Sequence, residues 1–373
     1  RAGCTEGRNR LRITGTSGAL RMYIGEAKDE RLRPNIVATA RAIWVISLVY
    51  LALGSLVLLV ALLCEGVRFR AAWLQAIWLF MSAWSTGGFA PYSQNLLYWH
   101  SLPVEVVCVV ICVLGSLNFA LHFAIWTGRR REAYRNIEVV SFAVTVTATF
   151  LVVAAALLRQ GIYPDTLVLL RKGFFQLISA HTTTGLQSVY AHQFLGQWYQ
   201  LATAGLVIAM MIGGSAASTA GGFKGLRVGI LFKGLVEDIR RLTVPDSVRI
   251  RDHIHHLRDL PLSDRMIRGA ALVVVCYVVL FAVSATIGVW CGYGLPQAVF
   301  EAASANGNVG LSCGVTAPSM PAVLKVTYLV QMWMARMEFL SVFVLVGFAH
   351  AVLFGLRGRR RVRQHLPGGR TTP

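Results

Sequence analysis

Residues 42–63, 106–126, 139–158, 197–223, 269–294 and 339–356 contain no Asp, Glu, Lys or Arg. Each is about as long as a helix must be to cross a bilayer, ~20 residues. Three shorter apolar segments with a helical pattern lie among them, at 71–83, 172–180 and 297–305. These are too short to span and read as re-entrant helices, which enter and leave from one side. Each runs into small or polar residues and a glycine: STGGF after the first, HTTTG after the second, NGNVG after the third. One unit is therefore written three times: a span outward, a short helix, a glycine segment and a span back. The predicted fold is an all-α polytopic membrane protein, with parallel membrane–pore-loop–membrane repeats around a central pore.

Charge orients the repeats. The chain of 373 residues is 55% hydrophobic and carries a net charge of +19. Such a charge could mark a nucleic-acid binder, but 29 of the 36 Lys and Arg fall in 1–41, 127–138, 224–268 and 357–373. These segments alternate with connections almost free of basic residues, so the excess is a topology signal that puts all four in the cytoplasm. Membrane lipids are then expected to meet some of the basic residues, and nucleic acid is not expected as a partner. The expected organisation is a cytoplasmic segment 1–41, a pore repeat 42–126, a linker 127–138, a second repeat 139–235, a cytoplasmic loop 236–268, a third repeat 269–356 and a basic tail 357–373. The polar segment ahead of the first span argues against a signal peptide. The seven cysteines read as small buried apolar residues, and Cys291 and Cys313 are the two that could pair outside.

The glycine segments carry the chemistry. Irregular backbone at membrane depth is tolerated only where it is buried or lines a water-filled cavity. Three such segments around one axis can present carbonyl oxygens in place of a cation's hydration shell. The marker glycines Gly88, Gly185 and Gly310 suit backbone that other residues adopt only with strain. No ring of acidic side chains stands at these positions, which favours a monovalent cation selected by carbonyls. A fourth segment, GGSAASTAGGFKG at 213–225, interrupts a return span. It follows an apolar helix rather than a strand and lacks phosphate-loop spacing, so nucleotide binding is rejected there. It reads as an intramembrane gate built from Gly213, Gly214, Ser215, Ser218, Thr219, Gly221, Gly222 and Lys224.

Arg336 lies deep in a spanning segment, where a charge faces a path or a partner. It either sets a barrier beside the cation path or pairs with Glu338 or Glu301. Glu301 is expected to fix the local fold through hydrogen bonds. Glu105 reads as interfacial, and HIHH at 253–256 as solvated surface. Neither a paired carboxylate nor a nucleophile–base arrangement stands within the spans, so the chain does not read as an enzyme.

With these motifs assembled, the chain resembles the TrkH/KtrB branch of the Trk/Ktr/HKT potassium-uptake superfamily. GGSAASTAGGFKGLR is similar to that family's intramembrane loop, with Ala217 at a usual glycine. STGGF, TTTGL and NVGLS look like its filter segments, and MARMEFL like its last-repeat segment, with Ala335 in the glycine place. Residues 20–44 resemble the connection between its first two repeats. The resemblance implies a potassium-selective filter at Thr86, Gly87 and Gly88, at Thr183, Thr184 and Gly185, and at Asn308, Val309 and Gly310. It implies K+ at these residues only, as the transported ion, with no covalently bound cofactor. It further implies a homodimer in the plasma (inner) membrane and a cytosolic regulatory subunit that binds a nucleotide of NAD or ATP type. The family has four repeats and this chain matches the second, third and fourth. A first repeat ahead of residue 1 is therefore expected, the alternative being a three-repeat protein completed by another chain. The function expected is the ion-conducting subunit of a potassium-uptake system, the alternative being a Na+-permeable transporter of the same fold.

Overall fold

The first repeat opens with α1 (Ile36–Cys64), which carries no charge after Arg41 and no proline. A turn leads into the short helix α2 (Phe69–Trp84). The computed structural model describes residues 36–163, 165–245, 252–339 and 341–350. The chain returns through α3 (Leu102–Ser116), begun by Ser101, whose hydroxyl accepts from the Val104 amide, with proline in the first turn. Next comes α4 (Phe119–Trp126), capped by the Asn118 side chain. The second repeat has α5 (Ile137–Gln160), a helical turn Thr166–Leu169, a π-turn Leu170–Phe174, α6 (Phe175–His181) and α7 (Tyr199–Ile212). After an irregular loop, α8 (Gly225–Thr243) leads to a small antiparallel hairpin of β1 (His253–His255) and β2 (Asp259–Pro261). The third repeat has α9 (Asp264–Trp290), α10 (Leu295–Gly307) and α11 (Ala322–Arg336). The described residues up to Arg336 belong to one compact unit. From Met337 onward the chain belongs to a second, whose described part includes the helix Ser341–His350.

Among the described residues three helices are long and apolar enough to cross a membrane, and their apolar windows are only 33%, 22% and 28% buried within the molecule. Leu53, Leu56 and Val60 on α1 and Val275 and Val279 on α9 point outward. Apolar faces of this extent need a nonaqueous surround, which here is lipid. Inside, Tyr50 stacks on Trp84 at 4.9 Å and Phe80 lies against Gly54, which draws α1 onto α2.

Four expectations need correction. Residues 106–126 are not one straight span, because α3 and α4 meet at 98°. The break is stable because the irregular loop supplies the backbone partners that the helix gives up: Ser215 N–H donates to Ser116 O at 2.9 Å, and Phe119 N–H to Ala217 O at 3.5 Å. The last return span does not run unbroken, since α11 stops at Arg336 and both Glu338 and Phe339 have positive φ. HIHH is not plain solvated surface. It forms β1, with His255 between Asp259 at 2.7 Å and Glu132 at 3.1 Å, and His256 buried beside Asn136 at 3.3 Å. The hydrogen bond with His255, aided by the charges of Arg135 and His253, holds the Asp259 carboxyl below its ordinary range. Glu105 is not merely interfacial: it is buried, and Arg171 and Lys172 hold its carboxylate at 2.7 and 3.2 Å. Cys291 and Cys313 are both free thiols. Segment 1–35, residues 351–356 of the last span and the tail 357–373 lie outside the described residues.

Candidate ion-conduction site

The three short helices end in the same way. Gly87 N–H donates to Ser82 O at 2.8 Å, Thr184 N–H to Ser179 O at 2.9 Å, and Val309 N–H to Ser304 O at 2.9 Å. One residue earlier, Thr86, Thr183 and Asn308 donate to Ala83, Ala180 and Ala305 at 3.3, 3.1 and 3.2 Å. This pair of bonds is a Schellman motif, which requires a left-handed residue just past the helix. Thr86, Thr183 and Asn308 occupy that place with φ of 51°, 55° and 53°. Asparagine tolerates it, but a β-branched threonine there is an outlier, and such strain gathers at functional sites. Gly88, Gly185 and Gly310, two residues on, are again left-handed, at 73°, 82° and 88°. The three predicted triplets therefore share one backbone course. In each, the first and third residues are left-handed.

The triplets also touch in order. A Cβ on Gly88 would lie 2.3 Å from Thr184 O, and one on Gly185 only 2.0 Å from Val309 O. Nothing lies within 4 Å of the same point on Gly310, so the series is open on that side. Thr183, Thr184 and Val309 are at most 1% exposed. Among the described residues, no hydrogen bond reaches the carbonyl oxygens of Thr86, Gly87, Thr183, Thr184, Asn308 or Val309. Backbone carbonyls in a fold are mostly paired, so a cluster without hydrogen-bond partners is a ready cation ligand set. Among the described residues no group of three or more His, Cys, Asp or Glu could hold a metal ion. The backbone is the ligand set that the site offers.

Side chains from the second and third short helices brace the backbone that follows their triplets. Gln176 Oε1 accepts from Ser188 N–H at 3.3 Å, and at the corresponding place Glu301 Oε1 accepts from Cys313 N–H at 2.9 Å. Glu301 also accepts from the hydroxyls of Ser312 and Thr316, at 2.6 and 2.7 Å. In the first repeat Asn95 takes the task, donating to Gly88 O at 3.0 Å and accepting from Gln187 N–H at 3.1 Å. The second repeat braces with a neutral amide, so Glu301→Gln is expected to retain uptake within about threefold. Glu301→Leu strands three donors, at ~1 kcal/mol or more each, and should lose most of it. Tracer uptake per unit of membrane-inserted protein checks both.

The loop at 213–224 lies against the ends of all three short helices. Thr219 Oγ1 donates to Trp84 O at 3.1 Å and is also within 2.8 Å of Gly115 O. Gly221 N–H donates to Thr183 Oγ1 at 2.7 Å, and a Cβ on Gly221 would meet Gly307 O at 1.9 Å. The ends of the loop are closed on each other: Phe223, Lys224 and Gly225 donate to Met211, Ile212 and Gly214 at 3.0 Å or less. Gly213 packs on Gly221 O and Gly222, Ser218 Oγ donates to Ser215 O at 2.6 Å, and the buried Lys224 ammonium donates to Ala220 O. Arg336 does not reach Glu301. Its guanidinium donates to Thr219 O at 2.7 Å and so holds the loop from the third repeat. The structure thus brings the two predicted sets together, one directly against the other.

A family model for TrkH, a cation transport protein, matches residues 9–351. The chain belongs to the TrkH family of cation transport proteins, which are membrane transporters and not enzymes. It is 30% identical over 335 residues to an uncharacterized cation transporter of Methanocaldococcus jannaschii, covering 90% of this chain and 65% of that one. It is 27% identical over 343 residues to the Trk system potassium uptake protein TrkH of Salmonella typhimurium, covering 90% and 68%. The fold is similar to the crystal structure of the potassium transporter TrkH from Vibrio parahaemolyticus, with TM-score 0.71 and 24% identity over 88% of this chain and 69% of that one. The chain thus spans about two thirds of the length of these relatives.

Sequence reasoning missed the bracing residues Gln176 and Asn95 and the carboxylate of Glu138, which receives the Ala216 amide at 2.8 Å. A signal for the triplets' frame was present. SAWSTGG, SAHTTTG and SANGNVG each open with the Ser-Ala pair whose carbonyls receive the two capping bonds.

Proposed function

We propose that this chain forms the K+-conducting path of a potassium-uptake system, with the three triplets as its filter and the loop at 213–224 as its gate. The observation that carries this is the set of carbonyls without hydrogen-bond partners among the described residues, on three backbones of the same course. K+ sheds its water onto such oxygens, and the loop lies where an ion leaving them must pass. A fourth re-entrant segment completes the ring beside Gly310, where the series is open. The chain works as a homodimer in the inner membrane, with its termini cytoplasmic, and a cytosolic nucleotide-binding subunit drives the loop. The inside-negative potential pulls K+ inward, worth ~2.3 kcal/mol per charge per 100 mV. The names of its bacterial relatives, potassium uptake proteins, agree with this reading.

The test is growth at low potassium of a bacterium lacking its own uptake systems, expressing the gene of this chain, with rubidium and sodium tracer fluxes measured alongside. Rescue with rubidium flux well above sodium flux supports a potassium filter. Sodium entering as fast as rubidium would assign a Na+-permeable path instead. Arg336→Ala removes the bond to Thr219 O and a positive charge near the loop. It is expected to raise rubidium influx several-fold while leaving the rubidium-to-sodium ratio unchanged, because the triplets keep their contacts.

A further inference from the structure

Glu138 stands at the start of α5 and is 1% exposed. Its own amide is capped by the Asn136 side chain at 2.9 Å. Its carboxylate spans two elements. Oε1 accepts from the Ala216 amide of the loop at 2.8 Å, and Oε2 accepts from Asn118 Nδ2 at 3.2 Å, at the break between α3 and α4. Asn118 cannot turn its amide round, because its Oδ1 caps α4 by accepting from Ala120 N–H at 2.8 Å. The group facing Asn118 must therefore be an acceptor, and so must the group facing Ala216. A carboxylate meets both demands, whereas a carboxamide meets one and sets a donor against a donor at the other. Hydrogen bonds to a charged acceptor are also stronger than neutral ones.

We infer that Glu138 is a positioning residue for transport, the latch that holds the intramembrane loop across the path; this rests on the reading of the loop as the gate. The latch has a cytoplasmic connection. Asn136, which caps Glu138, is met by His256 of the β-hairpin at 3.3 Å. Movement of that hairpin bears on the first turn of α5 and so on the loop. The partners of the Glu138 carboxylate, Ala216 and Asn118, lie outside the triplets, so its loss is expected to change how often the loop is closed and not which ion passes.

The experiment measures rubidium and sodium influx, per membrane-inserted molecule, for the unaltered protein, Glu138→Gln, Asn118→Ala and a variant whose loop is shortened within residues 215–220. Glu138→Gln is expected to raise the maximal rubidium rate about tenfold, the effect of losing one charged hydrogen bond from a mostly closed state. The concentration for half-maximal uptake and the ion ratio should stay put. Asn118→Ala, which leaves the carboxylate but removes one partner, should give a smaller rise in the same sense. A merely structural role would lower the amount of protein and leave the rate per molecule unchanged. If Glu138→Gln does not reach the membrane, Asn118→Ala decides alone, and an unchanged rate in it overturns the latch. If the shortened loop raises the rate and Glu138→Gln does not, the latch is wrong and the gate stands. If neither raises it, the reading of the loop as a gate is wrong as well.

Discussion

Gly185→Ala is expected to cut rubidium uptake more than about tenfold, at unchanged protein levels, and to erode the preference over sodium. Two costs combine. The residue has φ +82°, where a side chain costs on the order of 1–3 kcal/mol. The new Cβ would stand 2.0 Å from Val309 O, which belongs to backbone and has no flexible end to swing aside. Relief comes only by moving that carbonyl, one of the unpaired oxygens of the site. The fault therefore falls on the ligand set rather than on folding at large. Gly196→Ala is the control, since nothing lies within 4 Å of its Cβ position and its φ is ordinary. Equal flux and selectivity in Gly185→Ala and Gly196→Ala would place the filter elsewhere.

The second large effect is on stability. Glu105 sits on α3 of the first repeat, yet its carboxylate holds Arg171 by two bonds, 2.7 and 3.0 Å, and Lys172 at 3.2 Å in the second. Arg171 goes on to His100 O at 2.9 Å and Lys172 to Ser188 O at 2.9 Å, just past the second triplet. Glu105→Leu leaves two cations facing each other with their anion gone. Removing one member of a buried ion pair costs ~3–5 kcal/mol, and the lower end applies because Arg171 and Lys172 are 28% and 16% exposed. The solubilised variant should melt at a lower temperature than the unaltered protein. A melting temperature that does not move would show that solvent already carries the two cations.

The glycine segments and the apolar stretches were legible because each states a local need. A glycine at a left-handed position and a run without charge mean the same thing in most surroundings. What escaped was set by partners far along the chain. Nothing in residues 106–126 announces a 98° break, apart from Asn118, a good helix starter inside an apolar run. The break stands because Ser215 and Ala217, almost a hundred residues away, complete its backbone bonding. Glu138 escaped for a like reason: at the start of a span it reads as an interfacial charge, and only the fold sets the Ala216 amide and Asn118 against it. HIHH was misread because its partners, Glu132 and Asn136, lie in an earlier basic linker.

The loop at 213–224 is closed at its base by backbone bonds between Met211, Ile212 and Gly214 on one side and Phe223, Lys224 and Gly225 on the other. A segment clamped at both ends cannot swing like a door on a single hinge. It must retract or refold as a unit, breaking its contacts with several helices in one event. Such an event carries the large activation enthalpy of a small melting transition, whereas an ion stepping between carbonyls carries little. With the loop as the proposed gate, the number of open pores and the current through each one would follow different laws with temperature. Cooling is then expected to silence transport first by leaving pores shut, well before it slows the ions in those still open.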